Sequence, residues 1–123
     1  MRATQKAVEL AKVTSSSIDV VHVVSPKESK ESALQSTGKI ELEVRRKQRL
    51  QVFFDAITEA GAPYEYIELR GEPDVELVNY ANHEPFEFVV VGSRGLNTFQ
   101  EFVLGSVSHK LAKRSLSPVI IVR

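Results

Sequence analysis

Cysteine is missing from these 123 residues, which excludes disulfides, thiolate metal ligands and thiol redox chemistry. An excess of charge of either sign is missing too, since sixteen Lys and Arg balance sixteen Asp and Glu. A neutral chain has no global field for nucleic acid or for an anionic membrane, so neither is an expected partner. No apolar run approaches the roughly 20 residues of a membrane-spanning helix. The opening Met1-Arg2-Ala3-Thr4-Gln5-Lys6 lacks the apolar core of a signal peptide, so a cytoplasmic location is expected. The three histidines, at positions 22, 83 and 109, have no spaced histidine or carboxylate companion, and no metal site is expected. No serine sits in a Gly-x-Ser-x-Gly elbow, and no catalytic triad is expected. What remains is 42% hydrophobic and 26% charged, the composition of one soluble domain with one core spanning residues 1–123.

The pattern of apolar residues divides this domain into alternating elements. Ala3, Ala7, Leu10 and Ala11 recur at helical spacing, predicting a helix over about residues 2–12. Ile18 to Val24 is β-branched and almost wholly apolar, as suits a strand buried on both faces. Ser25 to Gly38 is polar and reads as a loop. Lys39 to Ala60 reads as the longest helix, with Leu50, Phe53, Ile57 and Ala60 as its core stripe and Gly61 as its stop. Tyr64 to Leu69 suggests a strand. Gly71-Glu72-Pro73-Asp74 turns into a helix with Val75, Val78 and Ala81 on the inner face. Phe86 to Val91 reads as a strand, Ser106 as the N-cap of a helix carrying Val107, Leu111 and Ala112, and Val119 to Val122 as the last strand after Pro118. Strands separated by helices imply a parallel α/β sheet with helices on both faces. Such a sheet normally starts with a strand, whereas this chain starts inside a helix.

The densest signal is Val89-Val90-Val91-Gly92-Ser93-Arg94-Gly95 followed by Gly105-Ser106-Val107-Ser108. This is a buried strand emptying into a glycine loop with a helix start behind it, in the spacing G-x2-G-x9-G-S. Glycine permits positive φ and close backbone approach, so the loop can wrap an anion. A helix N-terminus adds unpaired N–H groups and a positive dipole end for phosphate. The carboxyl end of a strand is where open α/β sheets bind ligands.

These residues resemble the universal stress protein family. The likeness runs from the first helix onward and is most specific in the last 38 residues, from Phe86 to Arg123. Ile18 to Val24 looks like the family's second strand, and Gly71-Glu72-Pro73 like its turn before the third helix. The glycine spacing is that of the ATP-binding members. The resemblance implies a doubly wound sheet of order 3-2-1-4-5, of the adenine nucleotide alpha hydrolase-like type, and a homodimer through the last strand, Val119 to Val122. It also implies that Val23 lines an adenine pocket and that Val91 and Gly92 lie against adenine or ribose. Arg94 and Gly95 would approach ribose and phosphates, and Gly105, Ser106, Val107 and Ser108 would hold phosphates. The family's first strand, ending in an aspartate that contacts the nucleotide, has no counterpart in this sequence. Either the encoded start lies upstream of Met1, or the sheet is rebuilt: Ile18 to Val24 pairs directly with Phe86 to Val91, or a groove is left that another chain fills.

The expected function is therefore binding of ATP, or of AMP or ADP, by a dimeric stress-response or signalling module, with magnesium as a companion of a triphosphate. A nucleotide-free dimeric interaction protein of the same fold and a slow ATP hydrolase are the alternatives; no dedicated general base stands out. Ser108 reads equally as a phosphate ligand and as a solvated hydroxyl. Arg45-Arg46-Lys47-Gln48-Arg49 reads as a solvated helix face beside Glu41 and Glu43, and Phe53, Phe54, Phe99 and Phe102 as core or dimer contacts.

Overall fold

A computed structural model describes residues 1–27, 38–93 and 105–123. The elements whose bounds lie within the described residues are, in order, α1 (Arg2–Thr14), β1 (Ile18–Val24), α2 (Gly38–Glu59), β2 (Tyr64–Arg70), α3 (Pro73–Asn82), β3 (Val89–Gly92), α4 (Ser106–Arg114) and β4 (Val119–Val122). β1 pairs in parallel with β2, from Ile18 opposite Tyr64 to Val24 opposite Arg70. β3 pairs in parallel with β4, from Val89 opposite Val119 to Gly92 opposite Val122.

The ends of the elements follow local chemistry. α1 stops where Ser15 turns left-handed at φ 54° and its N–H donates back to the Ala11 carbonyl. α2 closes in a Schellman motif: Gly61, at φ +80°, donates to the Thr58 carbonyl and Ala62 donates to the Ile57 carbonyl. The accompanying apolar contact site is closed to water, with Ile57 1% and Ala62 8% exposed. Gly71 lies at φ +140°, a backbone conformation that L side chains rarely adopt, and that is the reason for glycine there. β3 is shorter than the predicted Phe86 to Val91. Pro118 has no N–H to extend β4 backwards, so the ladder begins where Val89 donates to the Pro118 carbonyl at 2.8 Å.

Two inward faces differ from the sequence expectation. On α3 Ala81 is buried and Leu77, Val78 and Tyr80 are half-buried, whereas Val75 lies roughly 200° round the helix from Leu77 and is exposed. On α4 Leu111 is buried while Ala112 faces solvent. The basic cluster of α2 is also split. Arg45 bonds Glu41 on the surface, whereas Arg46 is buried and bonds Glu68 of β2 at 3.4 Å. Phe54, half-buried, stacks on the exposed Tyr64 with ring centres 5.2 Å apart, so this contact lies at the margin of the core.

α1 packs on α2, and α3 on α4. A parallel crossover is right-handed, so connections that step in opposite directions along a sheet lay their helices on opposite faces. α1 also reaches β1, β3 and β4. Arg2 donates to the Arg123 carbonyl at 3.4 Å, so α1 begins beside the C-terminal end of β4 and runs down to the start of β1. Both strand pairs therefore run in the same direction, opposite to α1.

Among the described residues, the two pairs share no ladder. The direct pairing of Ile18–Val24 with the third strand is overturned, and the expected single sheet is two parallel pairs. Between them lies a cavity of about 620 Å³, walled by Ile18, Asp19 and Val21 of β1 and by Val89, Val90 and Val91 of β3. Ala7, Leu10 and Ala11 of α1 and Leu77, Tyr80 and Ala81 of α3 complete its lining. The slot explains why β1 is not buried on both faces along its length: only Val23 and Val24 are buried, and no residue of β3 is.

Ile57 anchors the β1–β2 half of the core. Ile57→Ala should destabilise the protein by about 2–5 kcal/mol, through lost transfer energy and the cavity left behind. Val52→Ala, on the exposed side of the same helix, should change stability by less than about 0.5 kcal/mol. Urea unfolding of the two variants checks both values.

Candidate functional site

The site is built from the end of β3 and the start of α4. The β3–β4 ladder carries on past Gly92, where Ser93 N–H donates to the Val122 carbonyl at 2.8 Å. Gly105 N–H donates to the Ser93 carbonyl at 2.9 Å, so the residue before α4 is tied to the residue after β3. A second tie comes from Ser108, whose hydroxyl donates to the Gly92 carbonyl in a short hydrogen bond. The first turn of α4 is thereby fastened against the end of the strand.

This geometry revises three sequence readings. Gly105, not Ser106, is the N-cap of α4, and the helix has no side-chain capping bond. Gly105 lies at φ −62°, and Gly92 is not among the positive-φ glycines, so neither position uses left-handed backbone. Ser108 is buried at 3% exposure and spends its proton on Gly92, so it braces the first turn of α4 against β3 rather than meeting solvent. Ser106 is exposed and Val107 half-buried in the same turn. Arg94 and Gly95 lie outside the described residues, as do Phe99 and Phe102.

The electrostatics of this turn suit an anion. α4 has no acidic residue in its first turn, and Lys113 and Arg114 lie in its last, so the dipole is complemented only at its C-terminal end. The first-turn N–H groups of Ser106, Val107 and Ser108 belong to the set that a helix cannot satisfy internally. Asp74 of α3, 2.9 Å from Lys110, ties the two helices together. That ammonium holds the Asp74 carboxyl below its usual range, so the tie is present above the ordinary carboxylate pKa and is lost as pH falls.

Val23 lies one residue before the C-terminal end of β1, and Val91 one residue before that of β3. Both strands point the same way, so the structure brings the two valines to the same edge. The slot lies between their strands; Val91 lines it. The slot also holds groups that the sequence reading passed over. Tyr80 donates its hydroxyl to the Asp19 carboxylate at 2.8 Å, linking α3 to β1. Desolvation, then that bond, pushes the Tyr80 phenol up to about 12. The benefit of the neutral phenol is whole below its ordinary pKa and is lost as pH rises from there through about 12. The signal that could have found Asp19 was a lone carboxylate inside an apolar strand.

The universal stress protein family model matches residues 1–123. The chain belongs to that family. Universal stress protein YxiE of Bacillus subtilis is 34% identical over 134 residues, covering 99% of this chain and 89% of YxiE. Among solved structures, a universal stress protein from Archaeoglobus fulgidus superposes with a TM-score of 0.75 at 23% identity, covering 99% of this chain and 87% of its own. A universal stress protein in complex with cAMP has a TM-score of 0.67 at 27% identity, covering 99% and 85%. The α/β fold with parallel strands is thus the family fold. No helix of the described residues is long and apolar enough to cross a membrane.

In this family member the Ser108 brace should be worth measuring against its neighbour. Ser108→Ala removes the bond to Gly92 in a buried setting and should cost about 1–2 kcal/mol. Ser106→Ala removes no bond and should cost less than about 0.5 kcal/mol. Thermal and urea unfolding of the pair read the contrast.

Proposed function

We propose that this universal stress protein binds an adenine nucleotide, ATP in the first instance with ADP and AMP as related ligands, as a homodimeric stress-response module in the cytoplasm. The observation that carries the reading is the first turn of α4, tied to the end of β3 by Gly105 and Ser108 and without a side-chain cap or an acidic residue. A turn held in this way offers preorganised N–H donors to phosphate. Ser106 and Val107 would hold the phosphates through backbone N–H groups, with Gly105 tying the turn to Ser93 and Ser108 shaping it from behind. Val91 and Gly92 would lie against ribose or adenine, and Val23 would face them across the slot. Arg94 and Gly95 enter the site by resemblance to the ATP-binding members. The likeness to a family structure that holds cAMP supports an adenine ligand.

The chemistry asked of these residues is binding. Magnesium would arrive with a triphosphate, and no group of three or more His, Asp or Glu gathers among the described residues to hold it. Isothermal titration with ATP tests the site. Gly92→Val and Gly105→Val should each weaken binding at least tenfold while leaving the circular dichroism spectrum native. Unchanged affinity in both would overturn the assignment.

The dimer rests on β4. Its Val119–Val122 segment is bonded to β3 on one side, and its other edge carries no ladder among the described residues. An apolar edge of this kind invites pairing with a second copy. Ile120→Lys should shift the light-scattering mass from dimer to monomer. A wild-type chain that stays monomeric at high micromolar concentration contradicts the dimer.

A further inference from the structure

α3 and α4 pack on one another, and each follows a strand of the same direction, so both begin at the C-terminal edge of the strands. Lys110 lies one turn beyond Ser106 on α4, and a helical side chain leans towards the N-terminus of its helix. Four residues rise about 6 Å, a distance that the four-carbon stem of a lysine spans. The ammonium thus has the space in front of the Ser106 and Val107 N–H groups within its reach. It stands instead 2.9 Å from the Asp74 carboxylate, in the first turn of α3. Packing does not lock the pair, because 42% of the Lys110 side chain and 26% of the Asp74 side chain are exposed. The other carboxylate oxygen of Asp74 accepts from the Val75 N–H at 2.9 Å, so the carboxylate is anchored on its own helix and the ammonium is the partner free to move.

The charge balance at the turn gives this movable ammonium a use. The N–H groups of one helix turn suit one phosphate group. A diphosphate or triphosphate brings further negative charge to the same place, and that charge calls for a cation. Of the lysines and arginines in α4, Lys113 and Arg114 lie in the last turn, roughly 10 Å along the axis from Ser106. Lys110 is the one within reach. Asp74 opposes a polyphosphate in two ways, by holding that ammonium and by adding a like charge at the same edge.

We propose that Lys110 is a specificity-determining residue that selects nucleotides by their number of phosphates, leaving Asp74 for the outer phosphate of ATP or ADP and staying on Asp74 when the ligand is AMP. This role rests on the adenine-nucleotide reading of the α4 turn and adds to it a discriminating cation and a competing carboxylate. Asp74 lowers the affinity for polyphosphates, since each must draw the ammonium away from it. The same exchange loosens the tie between α3 and α4 when a polyphosphate binds.

Isothermal titration with ATP, ADP and AMP tests the role in Lys110→Met, Asp74→Asn, the double variant and Lys113→Met. Lys110→Met should weaken ATP and ADP about tenfold and AMP less than about twofold. Asp74→Asn should tighten ATP and ADP at least about threefold, because the ammonium no longer has a carboxylate to leave. The double variant should bind ATP like Lys110→Met, since the gain from Asp74→Asn passes through Lys110. Lys113→Met should change none of the three affinities. Lys110→Met and Asp74→Asn remove the same half-exposed pair, so each should melt within about 4 °C of the wild type. A purely structural pair would therefore move ATP affinity in the same direction in both variants, whereas a discriminating lysine moves it in opposite directions.

Three results would overturn the role of Lys110 while leaving the nucleotide site in place. The first is ATP binding that neither variant changes. The second is an equal loss for ATP and AMP in Lys110→Met. The third is a double variant that binds ATP as tightly as Asp74→Asn, which would make Asp74 a bare repulsive charge and Lys110 a bystander. A wild-type chain that binds none of the three nucleotides overturns the nucleotide reading itself, and the role of Lys110 with it.

Discussion

Neighbouring strands of a parallel sheet are ordinarily held by a ladder, and in this protein the ladder stops between β1 and β3. What spans the interruption is helix packing on both faces. α1 lies across both strand pairs, and α3 reaches over from the other side with Leu77, Tyr80 and Ala81. One polar contact adds direction to that packing, the 2.8 Å bond from the Tyr80 hydroxyl to Asp19. The distribution of burial follows. The fully buried side chains, Val24 and Ile57, belong to the β1–β2 half, where ladder and helix cooperate. The strands bordering the slot stay half-open, although their sequences are apolar enough for a deep core.

The division bears differently on the two ends of the proposed nucleotide site. The phosphate end is made within one half, from the close of β3, the start of α4 and the Ser108–Gly92 and Gly105–Ser93 bonds. Its geometry does not depend on what lies between the pairs. A base pocket bounded by Val23 and Val91 draws on both halves, and the width of the slot enters directly into its fit.

Charge shows the same economy. The chain is neutral overall, and two of its ion pairs join elements: Arg46 of α2 to Glu68 of β2, and Asp74 of α3 to Lys110 of α4. The carboxylates left at the slot, Glu84 and Glu87 beside Asp19, gather at one end of it, opposite the positive end of α1. A neutral sequence thus carries a polarised groove, which net charge could not reveal.

Local chemistry made much of the fold legible in advance. β1 and β4 lie at the predicted residues, because β-branched runs bounded by turn residues leave little choice of end. α2 stops at Gly61 as its spacing implied, since a left-handed C′ position selects glycine. The G-x2-G-x9-G-S spacing and the likeness it carries led to the family. Other features were decided by tertiary structure. Ser106 looked like a cap from its type, yet Gly105 holds the N-cap, because the tie to Ser93 sets where the helix begins. Ser108 turned inward because Gly92 ends its strand directly beneath it. Val75 and Ala112 are apolar but exposed, because each helix's inward face is set by the strands it covers and not by its own hydrophobicity. The sequence by itself determined which segments are strands and helices, through propensity, capping and turn chemistry. Only the tertiary structure decided that the strands form two pairs with a slot between them, because pairing is a contact between residues far apart in the chain.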